Sequence, residues 1–317
     1  MIKILNSDKQ IKQYLPIFAT KDFLEIKSSE YGWIVDDKYI LSYYIDRRSI
    51  FSKLVFTNET ISIDSKVNMK DEKLFLNSVV EKVKELNVDL ISQPLASVVF
   101  KKTPDNSKSI KWGSYVIDLT ISEDNIMKNI HSKHRNVIRK AIKDGVIIEE
   151  TRDIEIIYNN IKETMQRQNR AYPSMDDLNK IKDFTAFFIA KKDDVVQGCS
   201  VLPFNLFGAI YLYGGSVSRP YNGSLNFMHY KAMLILKEKG VAQYDFMGAR
   251  PNVEVGSKLE GIQRFKSRFG GVLKEGYLWK HELNPTKVFF MNLLQKIIFS
   301  LKGKVYSGDA IDQESKK

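Results

Sequence analysis

Cysteine is almost missing from this chain of 317 residues, which contains only Cys199. A single cysteine excludes an internal disulfide and a cysteine-based zinc cluster, and its scarcity fits a reducing cytoplasm. Cys199 lies in the apolar run VVQGCSVLPF, which is typical of a small core residue rather than a nucleophile. Thiol chemistry is therefore not expected.

Long hydrophobic runs are also missing. No stretch of about eighteen consecutive apolar residues is present, so no membrane-spanning helix is expected. The first ten residues, MIKILNSDKQ, carry charge without a continuous apolar segment, and no signal peptide is expected. These absences favour a cytoplasmic location.

Acidic residues are too few to balance the basic ones. The sequence has 49 lysines and arginines against 38 aspartates and glutamates, a formal net charge of +11. This balance favours an anionic partner, such as nucleic acid, a phosphorylated substrate or an acidic membrane surface, without choosing among them. The length leaves room for two domains.

Between residues 128 and 143 there is no acidic residue at all. The periodicity predicts an amphipathic helix over residues 129–144, which carries bases around its apolar stripe. Like charges three or four residues apart repel, so an anionic ligand would relieve the helix, although an ordinary solvated face is the alternative. His131 and His134 share one face without a further ligand-type cluster, and we interpret them as part of the basic face rather than a metal site. The bases are Lys128, Lys133, Arg135, Arg139, Lys140 and Lys143.

Residues 244–280 form the most informative stretch. We predict a strand at 243–247, a loop punctuated by glycines, and a last strand at 272–280. Just before that strand the chain reads RFKSRFGG, in which Arg264, Lys266 and Arg268 alternate with Phe265 and Phe269. A lysine between aromatic residues and beside a glycine turn is suited to stabilising the negative charge that develops in a transition state. The alternative is a solvated basic turn with two core phenylalanines.

Three successive strands are predicted at 184–191, 195–204 and 209–217, followed by a loop, a helix at 225–239 and the strand at 243–247. Side chains alternate along a strand, so Tyr211 and Tyr213 are expected on one side of the third strand. They are candidates for the core, and Tyr213 is also a candidate for lining a substrate.

Two motifs, KxRxxIRKAxKxGV beginning at Lys133 and DFxGA followed by GIxRFKxRFGG beginning at Asp245, resemble the FemABX family. These bacterial transferases add amino acids to peptidoglycan precursors and belong with the wider GNAT-like acyltransferases. The resemblance implies an α/β (α+β) fold of two tandem GNAT-like domains, with mixed sheets flanked by helices and a shared cleft. The expected domains are residues 1–145 and 146–283, with residues 284–317 packing back on the first.

The resemblance also implies the reaction. An amine of a UDP- or lipid-linked muropeptide would attack the ester of an aminoacyl-tRNA and form an amide, without a metal or redox cofactor. Lys266 matches the lysine of the family's FK motif and would stabilise the oxyanion. Asp245 is a candidate base, polar orienter or structural residue. The candidates for binding substrate are Lys133, Arg135, Arg139, Lys140, Tyr213, Arg219, Arg264 and Arg268.

Two alternatives stay open. The first is an N-acyltransferase that uses acetyl-CoA and acts on a surface sugar or another amine. In such GNAT enzymes a loop of the pattern Gln/Arg-x-x-Gly-x-Gly/Ala binds pyrophosphate; here Arg219 fits, but Asn222 and Ser224 replace the glycines, and only Gly223 could still form a cradle. The second is a non-catalytic protein that binds RNA or a membrane surface.

A late helix is predicted at 286–301, with Phe290, Leu293, Leu294, Ile297 and Leu301 in one stripe and lysines at 287, 296, 302 and 304. The family resemblance implies that it packs on the first domain. Peripheral contact through residues 286–304 with the inner face of the membrane is the competing interpretation.

Overall fold

A computed structural model describes residues 2–63, 66–250, 253–301, 306 and 308–314. The chain divides into two compact units, one formed by Met1–Gly113 with Glu275–Lys317 and the other by Ser114–Lys274. Residues 114–145, expected in the first domain, thus lie in the second unit, and residues 275–283 lie in the first. The reason is strand pairing: Val116 and Ile117 are in register with Asp245 and Tyr244 of the second unit.

Local sequence explains most element boundaries, since polar caps precede the helices and β-branched or aromatic residues fill the strands. The elements up to the first long connection are β1 Lys3–Leu5, α1 Lys21–Lys27, β2 Tyr31–Val35, β3 Tyr39–Arg48, β4 Phe51–Phe56, β5 Ile61–Ser62, α2 Met69–Val83, β6 Leu90–Ile91 and β7 Lys108–Asp118. The later elements are α3 Glu123–Asn129, α4 Ser132–Lys143, β8 Ile147–Glu150, α5 Ile154–Arg167, α6 Met175–Lys180, β9 Thr185–Lys192, β10 Val195–Asn205, β11 Gly208–Ile210, β12 Tyr213–Ser216, α7 Ser224–Glu238, β13 Gln243–Asp245, α8 Lys258–Ser267, β14 Val272–Glu282, α9 Pro285–Leu301 and α10 Ala310–Glu314.

The first unit is built on the sheet β1-β2-β3-β4-β6-β14, with β5 attached to β3. Its pairs are antiparallel except β4 and β6, which are parallel. Helix α2 begins at the cap Asn68, whose side chain accepts from Lys70 N. Its apolar face, including Leu76 and Val79, packs on a core that contains Phe56 and the fully buried Trp279. A conventional helix-on-sheet core results.

The second unit is built on the sheet β7-β13-β11-β10-β9-β8, with β12 attached to β10. Strands β11 and β13 are parallel, whereas the other pairs are antiparallel. Helix α7 supplies Met228, Ala232 and Met233 to a core shared with Phe188 and Tyr244. The strand–loop–helix–strand order predicted from β12 to β13 is therefore present.

The strand predicted at 209–217 is broken, because the chain changes partner at residues 211 and 212. Tyr211 N donates to Asp245 O at 2.8 Å, next to β13, and Leu212 N then donates to Val201 O of β10 at 3.0 Å. The expectation that Tyr211 and Tyr213 share one face of a continuous strand is therefore wrong. Among the described residues, β12 pairs with β10 and with no other strand, and Thr164 Oγ1 of α5 donates to Ser216 O and accepts from Ser216 N of β12.

The helix predicted at 129–144 begins later, at Ser132. His131 is its cap, with an extended backbone and a ring nitrogen that accepts from Lys133 N at 3.2 Å. Residues 123–129 instead form the separate helix α3, capped by Ser122. The cap fixes the point at which the basic helix starts.

Helix α9 confirms the position of the late helix. Val288 is buried with Phe51 and Leu90, and Lys287 Nζ lies 3.1 Å from Asp89 of the same unit. No helix in the described part of the chain is long and apolar enough to cross a bilayer. The lysines predicted to accompany the helix at 302 and 304 lie outside the described residues.

Candidate active site

The FK motif lies on a helix, not in the loop that was predicted. Ser257 caps α8, its Oγ accepting from Glu260 N at 3.1 Å, while Glu260 Oε2 accepts from Gly256 N at 3.2 Å. The Ser257 hydroxyl thus caps the first turn, while the Glu260 carboxylate accepts from the residue just before the cap. Helix α8 continues through Gly261 and places Lys266 in its last turn.

Lys266 points into the unit rather than into solvent. Its ammonium donates to Met247 O and, at 2.9 Å, to Gly248 O, just beyond β13. Burial lowers the pKa of Lys266 from 10.5 to about 8, an effect that the nearby Asp245 carboxylate partly opposes. The lysine is therefore a desolvated cation that is still mostly protonated at neutral pH.

A strained turn presents the two carbonyls to Lys266. Met247 and Gly248 have φ values of +56° and +58°, in the left-handed region that a residue such as methionine rarely enters. Asp245 Oδ1 accepts from Met247 N at 2.6 Å and also from Ser114 Oγ. Of the roles considered for Asp245, its contacts match that of a polar orienter, since it holds the turn that positions the lysine's partners.

Aromatic rings pack around Phe265 and Phe269, the two phenylalanines on either side of Lys266 in the sequence. Phe265 and Phe269 contact His134 of α4 at ring-centroid distances of 5.3 and 4.9 Å, and both also contact His229 of α7. His134 is only 6% exposed, so its assignment to the basic face is wrong. The apolar stripe of α4 extends to position 134, because an uncharged imidazole packs as an aromatic ring.

Burial keeps both histidines neutral. It lowers the pKa of His134 to about 4 and that of His229 to about 3. His229 Nδ1 lies 2.7 Å from Tyr244 Oη. The sequence reasoning did not single out His229, and its only signal is a polar ring on the inward face of the helix predicted at 225–239.

The two family-like motifs meet at the start of α4. His131 N donates to Arg268 O at 2.8 Å. Gly270 has a φ of +80°, and a Cβ there would lie 2.5 Å from Asn129 O. The first of the two glycines that end the second motif therefore permits the left-handed turn and the close approach to the backbone at Asn129.

The residues predicted to bind substrate fall into three groups. Three are engaged within the protein: Arg135 Nη1 donates to Lys128 O (3.0 Å) and Ile130 O, Lys140 pairs with Asp144 (2.5 Å), and Arg264 pairs with Glu260 (3.0 Å). Arg268 and Tyr213 are half-buried, and burial, then Asp177, raises the pKa of Tyr213. Exposed bases that make no ion pair with a described residue are Lys133, Arg139 and Arg219.

The loop before α7 does not leave an open cradle at Gly223. This glycine has a φ of +87°, and an added Cβ would collide with Val137 O of α4. Ser224, which follows, is completely buried, and its Oγ has no hydrogen-bond partner among the described residues. The first turn of α7 is thus covered by α4, whereas Asn222 remains exposed.

The assembled features are a largely buried cation that contacts the turn after β13 and a set of exposed bases. A desolvated cation of this kind can stabilise an oxyanion that forms beside it. In the part of the chain that the structure describes, no group of three or more His, Cys, Asp or Glu side chains is arranged to hold a metal ion.

Comparison with solved structures defines the fold. The structure titled FemX matches with a TM-score of 0.66 at 14% identity, covering 86% of this chain and 94% of that one. L-PGS from Bacillus licheniformis matches with a TM-score of 0.51 at 12% identity, covering 85% and 90%. The C-terminal domain of a putative lysylphosphatidylglycerol synthetase from Agrobacterium fabrum matches with 0.51 at 14%, covering 86% and 91%. The predicted fold class is confirmed: the chain has the mixed α/β, GNAT-like fold.

Sequence comparison finds a family similarity over part of the chain. The FemAB family model matches residues 155–295, a region that contains α8 and Lys266. No curated protein matches the sequence. Together with the fold, the match confirms the resemblance stated above: residues 155–295 are similar to the FemAB family, which supports an acyltransferase in the general sense.

Proposed function

We propose that the protein transfers an amino acid from an aminoacyl-tRNA to an amine of a peptidoglycan precursor. The observation that carries the proposal is Lys266, a buried cation on the family's FK motif. When the amine attacks the ester carbonyl, a tetrahedral oxyanion forms. An ammonium that is largely shielded from water stabilises that charge with little solvent reorganisation.

Lys266 is held ready for this role. Its ammonium rests on Met247 O and Gly248 O, both of which belong to the turn fixed by Asp245. Carbonyls are weaker partners for an ammonium than a developing oxyanion, so the attraction strengthens as the transition state forms. Collapse of the oxyanion breaks the ester C–O bond, and the departing tRNA hydroxyl takes up, overall, the proton that the amine loses.

The covering of α7 supports a donor other than acetyl-CoA. Pyrophosphate binding at a helix N-terminus requires free amides and close backbone approach. Here Val137 O occupies the space beside Gly223, and Ser224 is buried. The exposed Lys133, Arg139 and Arg219 suit the phosphates of a polyanion such as tRNA. Since aminoacyl-tRNA is a cytoplasmic molecule, the proposal places the reaction in the cytoplasm.

The choice of donor is tested by calorimetry and by transfer assays. Acetyl-CoA should bind at millimolar order or weaker, about 4 kcal/mol. A tRNA pool charged with labelled amino acids should transfer label to a UDP-linked or lipid-linked muropeptide. Tight stoichiometric binding of acetyl-CoA, with label transferred from it and none from charged tRNA, would replace the proposal with the acetyltransferase alternative.

A further inference from the structure

Helix α9 carries its apolar side chains on the outside. Its one fully covered residue, Val288, packs with Phe51 and Leu90, and Met291 packs beside it. Gln295, one turn further, has a buried Oε1. At about 100° per residue, positions 288, 291 and 295 lie on one side, which is therefore the face toward the protein.

The opposite side of α9 is a mostly apolar surface, in which Thr286 and Ser300 are the polar members, and we call it the outer face of α9. On it, Phe290 is 62% exposed, Ile297 50% and Leu301 83%. An ordinary surface helix has the reverse arrangement, with polar residues outward. A contiguous exposed patch of this kind marks a surface that contacts something apolar. The apolar members of the outer face are Phe289, Phe290, Leu293, Leu294, Ile297 and Leu301.

The charges on α9 indicate the nature of its partner. The 17 residues of the helix include Lys287 and Lys296 and no acidic residue. By helical spacing the two lysines lie at opposite edges of the outer face. Lys296 is exposed and makes no ion pair with a described residue, whereas Lys287 is paired with Asp89. Bases that border an apolar helical face are the pattern for a helix lying in the interface of an anionic bilayer.

We infer that the outer face of α9 docks the protein onto the surface of an anionic phospholipid membrane. No described helix is able to cross a bilayer, so α9 would lie along the surface, with the apolar side chains of its outer face among the acyl chains. A second copy of the chain is the less suitable partner, because each copy brings a net charge of +11 and the helix has no acid to pair with its own lysines. Anionic lipid headgroups supply the negative charge that α9 itself lacks.

Flotation of the full chain with vesicles tests the inference. The protein should bind vesicles of mixed phosphatidylglycerol and phosphatidylcholine and bind pure phosphatidylcholine weakly. The double variant Phe290→Ser/Ile297→Ser should lower the partition coefficient by about tenfold or more, because both side chains are already exposed in the free protein. Lys296→Gln should lower binding to the anionic vesicles by about fivefold, and only at low salt.

The matched control is Ile50→Ser/Leu74→Ser, which removes comparable apolar exposure elsewhere on the first unit. It should bind vesicles like the wild type, and circular dichroism should show every variant folded. The inference is overturned if the wild type fails to float with anionic vesicles or if the control loses as much binding. It is also overturned if sedimentation shows a dimer that Phe290→Ser/Ile297→Ser disperses. No acyl donor is present, so the result is independent of the proposed reaction.

Discussion

Two basic regions of the second unit, α4 and the last turn of α8, present their charge in opposite ways. Helix α4 carries many bases, of which Lys133 and Arg139 are solvated while Arg135 and Lys140 are tied to the protein. Helix α8 buries a single cation, Lys266, against two carbonyls. Of these basic side chains, the buried one has the lowered pKa. Burial of one charge, rather than the number of charges, distinguishes a candidate for chemistry from candidates for binding.

The largest effect is expected from Lys266→Met. Turnover in the aminoacyl transfer assay should fall by about a hundredfold, the usual consequence of removing one donor to an oxyanion. Lys258→Met is the matched control, since Lys258 is exposed at the start of the same helix. A folded Lys266→Met protein with the wild-type rate would contradict the role given to Lys266.

The next prediction concerns pH. The unfolded chain keeps a proton on Lys266 up to its ordinary pKa of 10.5, whereas the folded chain releases it near 8. The buried charge therefore destabilises the fold below pH 8, and this destabilisation is relieved between about pH 8 and 10.5. The unfolding free energy of the wild type should gain about 2–3 kcal/mol relative to Lys266→Met across this window. Urea denaturation at several pH values measures the gain.

The control for the pH experiment is again Lys258→Met. Its unfolding free energy should stay parallel to that of the wild type over the same range, since Lys258 is exposed. A difference between wild type and Lys266→Met that is constant with pH would show that the lysine titrates as in water.

The smallest effects are expected on α4, where Arg135 is hydrogen-bonded to backbone carbonyls and Arg139 is exposed. Arg135→Ala should lower stability by about 1–2 kcal/mol, because Lys128 O and Ile130 O lose their donor. Arg139→Ala should leave stability unchanged and weaken binding of charged tRNA a few-fold, more at low than at high salt. Denaturation and filter binding measure the two quantities. An unchanged stability for Arg135→Ala, or salt-independent binding for Arg139→Ala, would remove the distinction.

The positions of helices and strands could be predicted from the spacing of apolar residues, but which of their side chains are buried could not. The strands around Cys199, the basic helix and the late helix follow from periodicity and were placed within a few residues. Helix α8 was missed because Gly256 and Gly261 indicate a loop, although Ser257 followed by Glu260 is a helix-start signal. The orientation of α9 was not predictable either, since the same stripe would suit burial against the protein.

The site itself depends on contacts that no local pattern encodes. The change of partner at Tyr211 and the left-handed turn at Met247 follow from tertiary packing. The same is true of His134, whose place among Phe265 and Phe269 required the position of α8. Sequence motifs identified which residues mattered, and the fold determined what each one touches.

The hydrogen bond from His131 to Arg268 joins segments that are far apart in the chain, and this has a consequence for folding. Contacts of such large sequence separation form only after a long loop has closed, which slows their formation. During synthesis α4 emerges well before α8, so its aromatic face around His134 stays uncovered until Phe265 and Phe269 arrive. A nascent chain that stops before Ser257 therefore lacks both Lys266 and helix α8, on which the basic helix α4 packs. The two motifs reach their native contacts only together.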